Sequence, residues 1–280
     1  MSVFLQNVFW SGVSLSGISF LYRLFFMRRT LALLGYHSIS HESSTAETHN
    51  EIYKHLSVSA GMFEKQMRWL QRHDYVFLRF SDLLEIREGK RTMPPRPVLV
   101  YFDDGYKDNY LNAYPVLKRL GIPATIFVVT DCLDKKKILW ESGVNPKEAN
   151  IFLSWEELRE MRDVFDIGTH TVTHRKLTSL GPEEVREEFI QSRAYIEKQT
   201  GARVIAVSYP KSRFTQEIQK IAAECGFEFV LSHGRGFRHS ADLRYLEKIP
   251  VGPGDTMRLF TVKLSLYYPL YSLIRWISHL

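Results

Sequence analysis

The sequence is poor in cysteine: Cys132 and Cys225 are the only two in 280 residues, and no Cys-x-x-Cys pair occurs. A framework of several disulfides is therefore excluded, although one disulfide between the two thiols stays open. Cys225 lies in an apolar helical pattern, which is typical of a buried thiol. Internal repeats and low-complexity segments are also missing, so the chain is not built from copies of one short unit.

The sequence has no stripe of lysine and arginine interleaved with aromatic residues, which a nucleic-acid-binding surface would need. The net charge is nevertheless +6 at pH 7, and the longest basic run, residues 135–137, is typical of a solvated loop. We therefore expect no nucleic-acid partner. The basic balance remains compatible with an anionic lipid or an acidic glycan.

Charged side chains are absent from residues 1–22, an apolar stretch that serine, glycine and asparagine interrupt. It lacks the positively charged start of a secretory signal and is marginal as a membrane span. Over residues 1–30 we expect an interfacial helix or a weak anchor, with a helix packed on the domain as the alternative. Arg23, Arg28 and Arg29 follow the stretch and would keep the rest of the chain on the cytoplasmic side of a membrane.

Aromatic residues with few basic ones recur over residues 256–280, where Tyr267, Tyr268 and Trp276 accompany Lys263. Such an amphipathic segment suits a membrane interface, and a helix packed on the core is nearly as well supported. The sequence thus divides into the apolar N-terminal part, a central domain over 31–255, and this C-terminal segment.

Strand and helix patterns alternate within the central domain. Ser59 can cap one helix, and Ser154 with Glu157 forms the capping box of another. Repeated strand-then-helix units predict a parallel sheet, open or closed into a barrel. The strands are predicted at 31–36, 97–102, 124–129, 165–168, 204–208, 229–232 and 246–251, the helices at 59–70, 109–120, 155–164, 182–199 and 215–225, and long loops at 38–56 and 131–150.

Residues whose side chains could take part in catalysis or metal binding follow the ends of the predicted strands. They are His37, Asp103, Asp104, His170, His174 and Pro210. Because sites in parallel α/β folds form at the carboxyl ends of strands, we expect these residues to lie at one rim. The two long loops would border that rim.

The adjacent Asp103 and Asp104, with His170 and His174, suit one divalent metal. Two neighbouring carboxylates repel, and one takes up a proton unless a cation binds it, which leaves the other free to accept a proton from water. The histidines are four residues apart, so a helical turn would point both imidazoles to one side. Two histidines and one aspartate leave positions open for water and substrate, which favours metal-assisted hydrolysis. Solvent-facing aspartates and a chance histidine pair are the alternative.

Two motifs resemble those of the polysaccharide deacetylase family, the NodB homology domain of carbohydrate esterase family 4. They are YFDDGY at Tyr101–Tyr106 and HTVTH at His170–His174. The flanks at 108–110, 120–125 and 175–180 match as well, and Gly35-Tyr36-His37 resembles the Y-H element of a subgroup. The resemblance extends over about residues 31–251.

This resemblance implies a fold, an activity and a set of residue roles. The fold would be a distorted, incomplete (β/α) barrel of the NodB type with about seven parallel strands. The activity would be removal of N-acetyl, in some members O-acetyl, groups from sugars. Asp103 would be the general base, and Asp104, His170 and His174 would hold one divalent metal, usually Zn²⁺, with Co²⁺ or Ni²⁺ as alternatives.

The third motif of the family is altered. It reads Ser208–Ser212 (SYPKS) where relatives have R-P-P-Y-G or Y-P-Y-G, so Lys211 and Ser212 replace the aromatic residue and the glycine. The backbone N–H of Lys211 would face the developing oxyanion. The implied substrate contacts are Tyr106, Tyr209 and Pro210.

The histidine that would protonate the leaving group is not recognisable as a motif. His37 and His233 are the two candidates, and return of the proton by Asp103 or by water is the alternative. Lys248 stands where many relatives have an arginine before I-P-V.

The sequence thus predicts a metal-dependent deacetylase of N-acetylglucosamine-type sugars or polysaccharides, in exopolysaccharide or cell-envelope glycan synthesis. Its partners would be an acetylated glycan or lipid-linked sugar and a membrane surface, on the cytoplasmic face of a bacterial cell. A non-catalytic glycan-binding or assembly module and a hydrolase of another C–N amide or acetyl ester are the alternatives.

Overall fold

Seven parallel strands close into a barrel in the computed structural model, which describes residues 31–41, 56–135, 151–233, 237–238 and 243–264. The strands are β1 (Leu31–Tyr36), β2 (Ser38–Ser40), β3 (Ser57–Ser59), β4 (Val76–Phe77), β5 (Pro97–Phe102), β6 (Ala124–Val128), β7 (Phe165–Thr169), β8 (Ala206–Ser208), β9 (Phe229–His233), β10 (Phe237–Arg238) and β11 (Tyr245–Pro250). The α-helices are α1 (Ala60–Arg72), α2 (Phe80–Arg87), α3 (Tyr114–Leu120), α4 (Thr130–Lys135), α5 (Trp155–Glu160), α6 (Pro182–Thr200), α7 (Gln216–Glu224) and α8 (Met257–Lys263).

The barrel runs β1, β5, β6, β7, β8, β9, β11 and back to β1. Closure takes place at β1, where Leu34 pairs with Val100 of β5 on one side and with Ile249 of β11 on the other. The predicted NodB-type barrel of about seven parallel strands is therefore confirmed. The short β4 extends the sheet beyond β5, and β10 pairs antiparallel with β1.

Side chains alternate across each barrel strand, so two hydrophobic clusters form. The inner cluster holds Leu33, Leu99, Phe127, Phe229 and their neighbours, and α2 closes it with Phe80 and Leu83. The outer cluster lies between the strands and the surrounding helices. Gly35 and Gly168 make room inside the barrel, because a Cβ at Gly35 would lie 2.0 Å from the Tyr101 hydroxyl and one at Gly168 would lie 2.3 Å from the Phe127 ring.

The structure departs from the predicted elements where pairing between distant segments decides the conformation. The predicted loop 38–56 contains β2, which pairs with β3 in a separate two-stranded sheet, and α4 continues to Lys135 inside the predicted loop 131–150. The predicted helix 109–120 begins as a π-helical turn at Asn109–Ala113. The sequence also did not predict α2, β4 or β10.

The two ends of the chain are described only in part. Residues 1–30 and 265–280 lie outside the described residues, so the expectations for them stay predictions. At the start of the C-terminal segment, α8 packs on α1 through the buried ring of Phe260, whose centroid is 6.2 Å from that of Trp69. Among the helices in the described ranges, not one has the length and apolar content that crossing a membrane requires.

Candidate active site

The alternation of the barrel strands places five polar side chains at the carboxyl end of the barrel interior. Inward positions on β1, β5, β7, β8 and β11 continue to His37, Asp103, His170, Ser208 and Lys248. The backbone ladders extend to this edge, since Asp103 N donates to Tyr36 O at 2.9 Å and His170 N donates to Val128 O at 2.8 Å. The predicted convergence of strand-end residues is therefore observed for His37, Asp103 and His170.

Asp103 lies in a buried network with two partners. Lys248 Nζ donates to Asp103 Oδ2 at 2.8 Å, and Ser208 Oγ donates to Oδ1 at 2.7 Å. Lys248 Nζ also lies 2.6 Å from Ser208 Oγ. Burial alone would raise the pKa of Asp103, but the charge of Lys248, helped by the nearby imidazoles, holds it well below its usual range. Asp103 is therefore an oriented, ionised carboxylate.

Asp104 turns out of the strand direction because its φ is 75°, in the left-handed region. Its Oδ1 lies 3.4 Å from His170 Nε2 and 3.5 Å from His174 Nε2. Burial, with the adjacent Asp103 as the second cause, raises the pKa of Asp104 to about 8, while a hydrogen bond from the Tyr106 side chain opposes the rise. The two neighbouring aspartates thus differ sharply in their affinity for a proton.

Asp104, His170 and His174 fit a divalent metal ion. One ligand atom from each lies within 4.8 Å of the others, and all three residues are buried. Asp104 Oδ1 accepts no hydrogen bond from the described residues, and a cation would compensate this buried oxygen. His170 Nδ1 lies 2.6 Å from the Ser208 carbonyl oxygen, which can only accept, so Nδ1 carries the proton and Nε2 presents its lone pair. Burial lowers the pKa of both histidines, that of His170 to about 4, which favours the neutral ligand form.

The histidine turn, residues 169–174, is not the helical turn that the sequence predicted. Thr171 and His174 have φ values of 72° and 57°. Thr171 N donates to Thr169 Oγ1 at 3.0 Å, and His174 N donates to Thr171 Oγ1 at 3.2 Å. These local bonds curl the chain, so the two imidazole centroids are 4.9 Å apart without a helix.

A cavity of about 230 Å³ opens onto the aspartates and histidines. His37 lines it, and burial lowers the pKa of this imidazole. Lys211 and Ser212 form another part of the wall, with φ values of 53° and 52°, a conformation in which glycine is the more usual residue. The other described residues along the wall are Gly35, Leu56, Tyr101, Asp103, Asp104, His170, His174, Tyr209, Lys248 and Pro250.

Two of the predicted site residues, Tyr106 and Pro210, are not among the described residues that line this cavity. Tyr106 is buried against Phe152 and bonds Asp104 from outside the cavity. Pro210 is buried at the start of the 3₁₀ turn that carries Lys211. His233 ends β9 in register with Lys248, and its side chain lies outside the described residues.

Lys248 and Ser208 are the site residues to which the sequence assigned no role. Each was noticed only as a departure from the family pattern. Strand alternation offers a signal that could have found them, because both stand two residues after an apolar inward position, at Leu246 and Ala206. Their pairing with Asp103 needed the closed barrel, since 145 and 105 residues of sequence separate them from that aspartate.

Known proteins match this chain over most of its length. The pattern of the family described as polysaccharide deacetylase matches residues 90–230. YxkH of Bacillus subtilis strain 168, assigned by name to the polysaccharide deacetylases, is 30% identical over 226 residues, which are 80% of this chain and 72% of that protein. A Staphylococcus aureus N315 protein named poly-beta-1,6-N-acetyl-D-glucosamine N-deacetylase is 26% identical over 182 residues, which are 64% of this chain and 62% of the relative.

Solved structures agree with these sequence matches. BC0361, a polysaccharide deacetylase from Bacillus cereus, is 26% identical with a TM-score of 0.69, over 85% of this chain and 70% of that one. The Streptococcus pyogenes deacetylase PplD, solved in complex with acetate, shares the fold with a TM-score of 0.70 at 24% identity, over 85% of this chain and 99% of that one. The chain therefore belongs to the polysaccharide deacetylase family, whose enzymes hydrolyse carbon–nitrogen bonds other than peptide bonds.

Proposed function

We propose that this protein is a metal-dependent deacetylase that releases acetate from N-acetylglucosamine units of a polysaccharide of the poly-β-1,6-N-acetylglucosamine type. The observation that carries the proposal is the tethered carboxylate of Asp103 beside the Asp104, His170 and His174 cluster in one cavity. The substrate class is supported by the name of the Staphylococcus aureus relative, of which the chain spans about three fifths.

The residues around the cavity would have different roles in amide hydrolysis. Asp104, His170 and His174 would hold the metal, for which we propose zinc because two imidazoles and one carboxylate suit it. When bound, a divalent metal polarises a carbonyl and makes water more acidic. Asp103, oriented by Lys248 and Ser208, accepts the proton as water attacks the acetyl carbon.

Two further parts of the wall complete the proposed reaction. Lys211 lines the cavity, and its backbone N–H would donate to the oxygen on which negative charge develops. The amine then leaves with a proton, for which we propose the protonated form of His37 as the donor because it lines the same cavity. Burial lowers the pKa of His37, and the negative charge of Asp103 opposes this by favouring the protonated imidazole. Asn109 Nδ2 fixes the chain there by donating to the His37 carbonyl oxygen at 3.0 Å.

Release of acetate from poly-β-1,6-N-acetylglucosamine, compared between wild type and Asp103→Asn, tests this assignment. We expect Asp103→Asn to bind one metal per chain and to lose at least about 100-fold in turnover, because the variant lacks the base but keeps the ligands. Glu187→Gln, an exposed change on α6, is the control and keeps wild-type rates. An Asp103→Asn variant with wild-type turnover would show that Asp103 is not the general base.

The same assay separates the two alternative functions. A wild type that binds the glycan but releases no acetate, with binding unchanged in Asp104→Ala, would be a binding or assembly module. Acetate release from simple amides or esters without release from the glycan would indicate another hydrolase.

We also propose that the apolar ends of the chain bring the domain to a membrane surface, on its cytoplasmic face, near a lipid-linked sugar or nascent polysaccharide. The support is the composition of residues 1–22 and 265–280 with Arg23, Arg28 and Arg29. Flotation of the full chain with anionic liposomes tests this, and a full chain that stays unbound would rule it out.

A further inference from the structure

Helix α6 is hydrogen-bonded to the histidine turn through Glu188, a side chain that does not line the cavity. Glu188, 7% exposed, accepts hydrogen bonds from Val172 N at 2.7 Å and Thr173 N at 3.0 Å, both at Oε2. Its Oε1 accepts from the Thr173 hydroxyl. One carboxylate therefore satisfies three donors in the segment that separates His170 from His174.

This segment needs an external support because its backbone is unfavourable. Thr171 and His174 have positive φ values, 72° and 57°. A β-branched residue such as threonine is a clear outlier in the left-handed region, and such conformations persist only where surrounding contacts over-determine them. The two local bonds to threonine hydroxyls leave Val172 N and Thr173 N unsatisfied, and Glu188 takes both.

A second contact ties the same helix to the start of the turn. Ser192, one helical turn after Glu188, accepts from Thr169 Oγ1 at 2.7 Å and donates to the Glu188 carbonyl oxygen at 2.6 Å. The helix is itself anchored by the buried side chains of Val185, Phe189 and Ile196. The turn is thus held against a packed helix at both ends.

We propose that Glu188 is a positioning residue that keeps His170 and His174 aimed at the metal site. The proposal deepens the proposed function and rests on it. Without Glu188 the turn relaxes away from its left-handed residues, and the two Nε2 atoms no longer converge on Asp104 Oδ1. Groups that orient metal ligands typically contribute about 10–100-fold to metal affinity.

The test is zinc affinity of the full chain, measured by competition with a chromophoric chelator. Glu188→Leu keeps the bulk but removes the acceptors, and we expect affinity to fall about 10–100-fold. Glu188→Gln can keep its amide oxygen on both backbone N–H groups and offer its NH₂ to the Thr173 hydroxyl, so we expect a loss of only about threefold or less. Glu187→Gln, on the same helix but exposed, should bind zinc as wild type does.

Thr173→Val covers the case in which Glu188→Leu fails to fold. It removes only the hydroxyl bond and should lower zinc affinity by a smaller factor, with an altered Co²⁺ absorption spectrum. Thermal unfolding of the metal-free variants identifies the folded fraction.

Equal zinc affinity in folded Glu188→Leu and wild type, or in Thr173→Val and wild type with identical Co²⁺ spectra, would overturn the positioning role. That result would leave the proposed function intact. A wild-type chain that binds no zinc, cobalt or nickel would instead remove the proposed function and this role together.

Discussion

At the scale of single residues, the site depends on two adjacent aspartates in opposite electrostatic surroundings. Burial and its neighbour raise the pKa of Asp104 to about 8, whereas Lys248 keeps the pKa of Asp103 low in spite of burial. A metal cation bound to Asp104 would lower the pKa of this carboxyl, because it favours the ionised form. Two consecutive residues thus provide the carboxylate that we propose as a metal ligand and the one that we propose for proton transfer.

Replacing Lys248 should impair the ionisation of Asp103, and with it activity and folding stability, more than a substitution on the surface does. Lys248→Met leaves a buried carboxylate without its cation, which costs about 3–5 kcal/mol of folding stability and promotes protonation of Asp103. We expect Lys248→Met to lower acetate release at least about 100-fold, and Lys248→Arg to retain more activity because it keeps the charge. Glycan deacetylation and urea unfolding measure both effects, and a Lys248→Met variant with wild-type turnover would contradict the tether.

The proposed role of His37 as proton donor can be tested by comparing substrates whose leaving groups do and do not need a proton. An amine needs a proton to leave, whereas an activated phenol does not, so loss of the donor should affect only the first reaction. We expect His37→Gln to lower glycan deacetylation about 100-fold and 4-nitrophenyl acetate hydrolysis less than about threefold. Equal losses on both substrates would show that His37 has a different role.

At the scale of elements, the short pair β2–β3 contacts a partly buried polar cluster at the start of the π-helical turn. The Ser38 hydroxyl donates to Asp108, and Asn109 Nδ2 donates to Asp108 Oδ1 at 3.0 Å. Burial nevertheless raises the pKa of Asp108 from 3.8 to about 6, since these bonds only partly offset desolvation. Asp108 therefore keeps its proton to a higher pH in the folded chain than an exposed aspartate does.

Because of Asp108, the free energy of unfolding should decrease as the pH rises from about 4 to 7. Because its folded-state pKa is the higher one, the native state holds the proton more tightly, and this stabilisation is complete below about pH 4 and is lost as pH rises through about 6. Relative to Asp108→Asn, wild type should lose up to about 3 kcal/mol over this range. Urea unfolding from pH 4 to 7 measures the difference, and parallel curves for the two proteins would exclude this titration.

The sequence predicted elements well where local pattern decides them. The apolar runs of β1 and β5 and the capping box at Ser154 were predicted at the residues where they occur. It failed on β2 and β3, which are three residues each and exist only through mutual pairing. The histidine turn was predicted as helical from spacing alone, because the contacts that set its positive φ values come partly from α6.

At the scale of the whole molecule, barrel closure is what turns scattered residues into a site. The pairing of β1 with both β5 and β11 brings His37 beside Asp103 and Lys248. The placement of residues after predicted parallel strands indicated that they share one rim, and the motif resemblance supplied the proposed metal ligands. The Lys248–Ser208–Asp103 network was not predictable, since it depends on which strands meet when the barrel closes.

The measurement that tests the central claim most directly is acetate release from poly-β-1,6-N-acetylglucosamine by metal-depleted protein as zinc is returned. We predict that chelation abolishes the activity and that it recovers to a plateau at about one zinc per chain, as expected for a single three-ligand site. Asp104→Ala should not recover at the same zinc concentrations. Undiminished release by protein stripped of metal, or full recovery of Asp104→Ala, would contradict the account.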